Sequence, residues 1–201
     1  PEKIVEIIKG LCTTRLPRYY RIDPVNGIQV LSPMQRGETG AYNLNLVLQE
    51  TLNPSEISIK YGGTTYRLKD KVMQIRNNYE KNVFNGDIGI ITSIDTEDRV
   101  VTISFDENEV EYDATELDEV VLAYATTIHK SQGSEYDIVV APITTQHFIM
   151  LQRNLLYTCV TRAKRAIVLV GTKKAIGISV SNNRTQKRNT MLSMRLKDCL
   201  S

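Results

Sequence analysis

The chain has 201 residues, 41% hydrophobic and 24% charged, with a formal net charge of +2. That is enough apolar material for a buried core, which excludes global disorder, and the net charge alone announces no nucleic-acid partner. No apolar run approaches the ~20 residues of a bilayer span, and the opening PEKIVEIIKG is charged and amphipathic rather than a secretory signal. Cys12, Cys159 and Cys199 form no CxxC pair, which argues against a metal or disulfide framework and for a reducing cytoplasm. An opening at Pro1 rather than Met reads as a piece of something longer.

Taken in chain order, residues 2–12 carry Ile4, Val5, Ile7, Ile8 and Leu11 as a helical stripe. RLPRYYRIDPVNG, with Pro17, Pro24 and an Asn-Gly turn, reads as an irregular loop, and IQVLSP as a short buried strand. A helix is expected over 41–51, ended by LNPSE. From about Tyr66 to Asp118 the texture changes to short alternating runs separated by turns such as FNGDIG, a small all-β unit. Helix–strand alternation then returns: VVLAYA strand, TTIHKSQ helix, DIVVAP strand, a helix over 149–163, AIVLVG strand, and a tail helix over about 184–199. Strands alternating with helices predict a parallel sheet flanked by helices, interrupted by the β unit.

Charge is unevenly spread. Between Asp95 and Glu119 stand eleven acidic residues against one basic, Arg99; from Ile138 onward there are eleven basic residues and a single acid, Asp198. Two solvated faces account for such runs, and so does a basic surface that meets phosphate beside an acidic one that avoids it.

Three stretches carry candidate chemistry. In YATTIHKSQGSEY a strand ending at Thr126–Thr127 and turning into a helix would present hydroxyls and free N–H groups suited to phosphate, with Gly133 stopping the helix and Glu135 at the mouth of the next strand, where open α/β sheets bind ligands. A capped helix with a glycine stop and a surface histidine explains the same spacing. In RNLLYTCVTRAKR, Arg162 and Lys164 stand at a helix C-terminus, where the dipole favours cations; Arg162 could equally meet negative charge developing on a transferring γ-phosphoryl group. In VLSPMQRGETG, Gln35 and Arg36 follow a buried strand and precede a glycine and a helix.

Together these stretches resemble superfamily 1 helicases: SPMQRG is similar to motif IV, TTIHKSQGSEYDIVV to motif V and LLYTCVTRAKR to motif VI. The likeness is to RecD/TraA-type DNA helicases, the exodeoxyribonuclease V alpha-subunit family. LKDKVMQIRNNYEKNVFNGDIGII resembles the start of the SH3-like barrel inserted in that family's second motor domain. The resemblance implies a RecA-like second motor domain over 1–63 and 120–201 with the SH3-like barrel over 64–119. It implies an ATP-dependent 5′→3′ DNA helicase in which Arg162 is the arginine finger and Arg36 a second γ-phosphate contact. Gln132, Gly133 and Glu135 would reach the nucleotide, and Thr127 and His129 single-stranded DNA. In the insert, Tyr79 and Arg76 are the expected DNA contacts, on the basic 66–85 side, with Phe84 read as barrel core.

Nothing in the chain fits G-x-x-x-x-G-K-[ST], and Leu117-Asp118-Glu119 follows a polar run rather than an apolar strand, so no magnesium-binding acid pair is read there. The family's phosphate loop and magnesium ligands belong to its first motor domain, which is expected to precede Pro1. ATP and Mg2+ would be held mainly by that domain, and this chain alone is expected to be inactive. The expected partners are single-stranded DNA, the chain's own N-terminal motor domain and other nuclease or helicase subunits. The alternative is a stand-alone single-stranded-DNA-binding module without a motor, which leaves Arg162 and Glu135 without a task.

Overall fold

Two sheets of opposite character share one core in the computed structural model, which describes residues 2–106 and 108–183. The first sheet is parallel, with strands β1 (Ile28–Ser32), β9 (Ala125–Thr127), β10 (Tyr136–Ile143) and β11 (Ala163–Gly171) in the order β11-β10-β1-β9. Burial on both faces explains why β1 and the middle of β10 are continuous apolar runs rather than alternating ones. Ile28, Val30, Ile138 and Val140 meet helices α1 (Glu2–Gly10), α2 (Leu16–Tyr20) and α3 (Ala41–Leu52). On the opposite face Leu31, Val139 and Ala141 pack with Ile128 and with Leu155 and Cys159 of α4 (Arg153–Val160). Helix α5 (Lys173–Ser181) follows β11 and packs near α4 through Ala175.

The second sheet is antiparallel, in the order β7-β6-β5-β4-β8, from β4 (Lys71–Gln74), β5 (Ile88–Asp95), β6 (Val100–Phe105), β7 (Asn108–Asp113) and β8 (Val120–Leu122). Strand β6 alternates strictly, with Val101, Ile103 and Phe105 buried, as the period-2 pattern predicts. The hairpin β2 (Ser58–Tyr61) and β3 (Thr64–Arg67) precedes it. Parallel sheet with flanking helices and SH3-like unit are thus both present.

Several local expectations differ from the structure. RLPRYYRIDPVNG is not all loop: a π-type turn over Leu11–Arg15 runs into α2, whose first turn accepts Pro17 because a helix N-terminus needs no N–H there. VVLAYA is not one strand. Val120–Leu122 pairs with β4, and Ala125–Thr127 with β1. Buried Asn45 clamps the handover, its Nδ2 donating to the Leu122 and Ala125 carbonyls at 3.0 and 2.8 Å while its Oδ1 accepts the Ala125 N–H at 2.7 Å. The helix expected over 149–163 is α4 alone, preceded by a 3-10 segment over Thr145–Met150. Helix α5 has no counterpart in the sequence reading, and the tail helix expected over 184–199 lies outside the described residues.

A polar network fixes the antiparallel unit to the parallel one. Asp70, fully buried, accepts hydrogen bonds from Gln49 and Asn53 at the end of α3, from the Tyr124 hydroxyl and from the Arg67 N–H. Next to it Lys71, also buried, donates from Nζ to the Val25 and Ile28 carbonyls at 2.8 and 3.3 Å. Burial pushes this ammonium down to about 8.

Candidate nucleotide and DNA site

At the carboxyl end of β1 the chain enters a loop closed by its own backbone. Ser32 Oγ donates to the Thr39 carbonyl at 2.7 Å and accepts the Met34 N–H at 3.2 Å. The N–H groups of Ala41 and Tyr42 return to the carbonyls of Met34 and Gln35. Gly40 is required by this close approach, because a Cβ there would stand 2.4 Å from the Arg36 carbonyl oxygen. Thr39 Oγ1 lies 2.9 Å from His147 Nε2, and His147 Nδ1 faces the Thr144 N–H at 3.4 Å. Nδ1 therefore accepts and Nε2–H donates, and burial holds this imidazole down at about 4, neutral at pH 7. Gln35 and Arg36 project from the fixed loop into solvent.

The stretch from Thr127 to Tyr136 is not the helix its spacing suggested. It is a succession of turns: Ser131 N–H to Thr127 O at 3.2 Å, Gln132 N–H to His129 O at 3.3 Å, Ser134 N–H to Ser131 O at 3.1 Å. Gly133 turns at φ +91°, a backbone conformation L side chains avoid. Ile128, fully buried, anchors the run to the sheet face, and its N–H bonds the Ser32 carbonyl at 3.0 Å. Thr127 is half-buried, His129 and Lys130 are exposed, and Thr127 Oγ1 takes the Lys130 N–H at 3.4 Å. Because β9 and β10 are parallel, the run must cross from the carboxyl end of one to the amino end of the other. Glu135 therefore stands at the amino end of β10, not at a carboxyl end as the strand-mouth argument supposed. Gln132, Gly133 and Glu135 are all exposed.

Arg162 stands at the same end of the sheet, in contact with Ser134 and Tyr136 of this run. It follows α4, its carbonyl accepts the Tyr136 N–H at 2.8 Å, and its guanidinium donates to the Ser134 carbonyl at 3.0 Å and to Thr161 Oγ1 at 3.3 Å. Its buried Nε–H has no acceptor among the described residues. The ion pairs among those residues are Arg76–Asp118 and Lys81–Glu116, so Arg162 has no counter-ion among the described residues. Tyr136 beside it is pushed up by burial, opposed by Ser134 and by the Arg162 charge. The fold thus brings motifs V and VI together across 28 residues of sequence. It does not bring the two arginines to one end of the sheet: Arg36 follows the carboxyl end of β1 and Arg162 precedes the amino end of β11.

In the antiparallel unit most of the basic residues of the 66–85 side, the expected contact Arg76 among them, are spent internally. Arg67 donates to the Asn53 carbonyl, Lys71 is buried, Arg76 pairs with Asp118 at 2.8 Å, and Lys81 pairs with Glu116 at 2.6 Å while lying over the Tyr112 ring. Lys69 and Tyr79 remain exposed. Phe84, expected in the core, is 41% exposed and packs edge-on against Tyr79, with Val83 taking the buried position instead. Asp118 and Glu119 serve this unit, Glu119 accepting from Gln74 and Asn78.

The sequence reading missed Thr39, His147 and Ser134. His147 and Thr39 are 108 residues apart, with no local signal joining them. Among the described residues no three His, Cys, Asp or Glu side chains converge as metal ligands, and no helix is long and apolar enough to cross a membrane.

Residues 44–105 match the "ATP-dependent RecD-like DNA helicase SH3 domain" and residues 122–170 the "UvrD-like helicase C-terminal domain". The chain is 37% identical over 170 residues to the ATP-dependent RecD2 DNA helicase of Deinococcus radiodurans, covering 85% of this chain and 23% of that protein. It is 32% identical to the RecBCD enzyme subunit RecD of Mycobacterium tuberculosis, covering 84% of this chain and 28% of the relative. The chain thus spans about a quarter of the length of these relatives. A Bacteroides Pif1 helicase solved with ADP-AlF3 and single-stranded DNA shares the fold at TM-score 0.57 and 16% identity, over 99% of this chain and 50% of that one. With the parallel sheet and the SH3-like unit in place, the chain is a relative of the RecD-type DNA helicases, carrying a RecD-like helicase SH3 domain over 44–105 and a UvrD-like helicase C-terminal domain over 122–170.

Proposed function

We propose that this chain is the C-terminal half of an ATP-dependent 5′→3′ DNA helicase, with residues 1–63 and 120–201 as its second motor domain and 64–119 as the insert. The observation that carries the reading is the Arg162 guanidinium, held by the Ser134 carbonyl and Thr161 with no carboxylate among the described residues to neutralise it. A guanidinium held by two protein oxygens in the turn between α4 and β11, without a counter-ion among the described residues, is arranged for an anion supplied from outside. The sequence lacks a phosphate loop of its own, so ATP is assigned to a cleft against an N-terminal motor domain. Magnesium is assigned to that domain too.

In this reading closure of the cleft brings Arg162 to the γ-phosphate, with Gln132, Gly133 and Glu135 along the nucleotide. Arg36 is the second phosphate contact; it reaches the site from the other end of the sheet, so its contribution depends on closure. Thr127 and His129 hold the DNA backbone, and Tyr79 is the insert's contact, whereas Arg76 must first leave Asp118 to join it. Buried, unpaired Cys12 and Cys159 suit a reducing cytoplasm. Partner nuclease or helicase subunits belong to the same proposal.

The test uses this chain. It should bind labelled oligothymidine with an affinity that falls steeply with salt, lose that binding when Thr127 and His129 become alanine, and hydrolyse no ATP. ATP turnover by the chain alone would overturn the division of labour.

A further inference from the structure

A cavity of about 160 Å³ opens at the seam between the parallel sheet and the β2–β3 hairpin, lined by Gln35, Tyr42, Leu46, Tyr66, Thr126 and Lys130 among others. It is distinct from the Arg162 site, which lies at the far end of the sheet. Its wall is mostly carbon, and two of the contributors are large apolar groups left in solvent: Tyr42 is 54% and Leu46 40% exposed. Both stand on α3, which is held by its buried Leu44, Asn45 and Leu48, so the exposed pair is presented by a rigid element. Among the described residues the Tyr42 ring stacks on no other ring, and the Lys130 ammonium and the Gln35 side-chain amide have no hydrogen-bond or ion-pair partner.

Size and position narrow the occupant. The volume lies well below the ~300 Å³ at which sites for whole small ligands begin, so the cavity has room for one flat ring system rather than a complete nucleotide. Thr126 and Lys130 flank Thr127 and His129, the proposed contacts to the DNA backbone. An aromatic and aliphatic wall, an amide able to donate and accept at its edge, and a cation one step away match a base attached to its phosphate.

We propose that this cavity receives one nucleobase of the single strand, stacked on Tyr42, with Lys130 on the adjoining phosphate. The proposal rests on the DNA track assigned to Thr127 and His129. Stacking there makes binding depend on the bases, not only on the charge of the backbone. It tolerates any base, because every base offers a π-face.

The experiment is fluorescence anisotropy on this chain, comparing oligothymidine with an abasic strand of the same length and phosphate number. The wild type should prefer oligothymidine by about tenfold, as one stacked base predicts. Tyr42→Ala should reduce that preference to within about twofold while leaving abasic affinity and its salt slope unchanged; Tyr42→Phe should restore it. Tyr42 is surface-exposed, so the variant should keep the wild-type circular dichroism and melting curve. Equal, salt-steep binding of both strands by the wild type would keep the track and overturn the base pocket, leaving the cavity to a protein side chain. A Tyr42→Ala loss equal on both strands would also overturn it. No binding of either strand at low salt would overturn the track, and the pocket with it.

Discussion

Replacing Asp70 by alanine should unfold the joint between the two sheets more readily than any surface change. The carboxylate is fully buried and accepts from Gln49, Asn53, Tyr124 and the Arg67 N–H. Gln49 and Asn53 keep second bonds to the Thr65 and Leu68 carbonyls, but four donors lose their acceptor together. At roughly 1–3 kcal/mol per stranded buried donor the gross cost is large. Removal of the carboxylate's own desolvation penalty and entry of water offset part of it, which leaves about 3–5 kcal/mol. For a domain of this size each kcal/mol is about 2–4 °C in Tm, so the midpoint should fall by roughly 10 °C, with a lower urea midpoint and an unchanged m-value. A fall of less than about 3 °C would refute the claim that this network couples the units. The pH dependence carries the same signature. Burial raises this carboxyl above its usual 3.8, held back by the four hydrogen bonds, so the native state binds the proton more readily than the unfolded one. Its contribution to stability must then decline as pH rises from about 3.8 through the raised value, and Asp70→Asn should abolish that slope.

His147 works with the opposite sign. Its imidazole drops from 6.5 to about 4, so between those values the unfolded state binds more protons, and stability is lost as pH falls through that window. The full shift corresponds to about 3 kcal/mol, and the difference between wild type and His147→Gln in denaturant titrations at pH 7 and pH 4 should recover most of it. Gly40→Ala places a methyl 2.4 Å from the Arg36 carbonyl oxygen, so the 33–40 loop must move. It should cost about 1–3 kcal/mol in urea unfolding and displace Gln35 and Arg36, seen as altered amide shifts confined to that loop and its neighbours.

How much of this could be read in advance follows from the range of each interaction. Strands β1, β10 and β11 and helix α3 declare themselves because burial on a sheet face or helix stripe writes a local apolar pattern, and β6 does so through alternation. Residues 128–133 defeated that logic: TTIHKSQ has a helix's polarity, but anchoring of Ile128 on the sheet and the crossover from β9 to β10 impose turns instead. Phe84 was misplaced because hydrophobicity alone does not tell which of Val83 and Phe84 points inward. The handover within VVLAYA depends on Asn45, about 80 residues away, and the fixing of Thr39 by His147 spans 108. Motifs V and VI were visible as a family pattern. The contact between Ser134 and Arg162 needed the fold.

The most direct test of the account is single-stranded-DNA-stimulated ATP turnover by the helicase that carries this chain, wild type against Arg162→Ala. The account predicts a loss in kcat of about 10³-fold or more, the scale of an arginine finger, with DNA affinity within about twofold of wild type. Turnover within about tenfold of wild type would contradict it, and would leave the Arg162 guanidinium beside Ser134 a structural feature only.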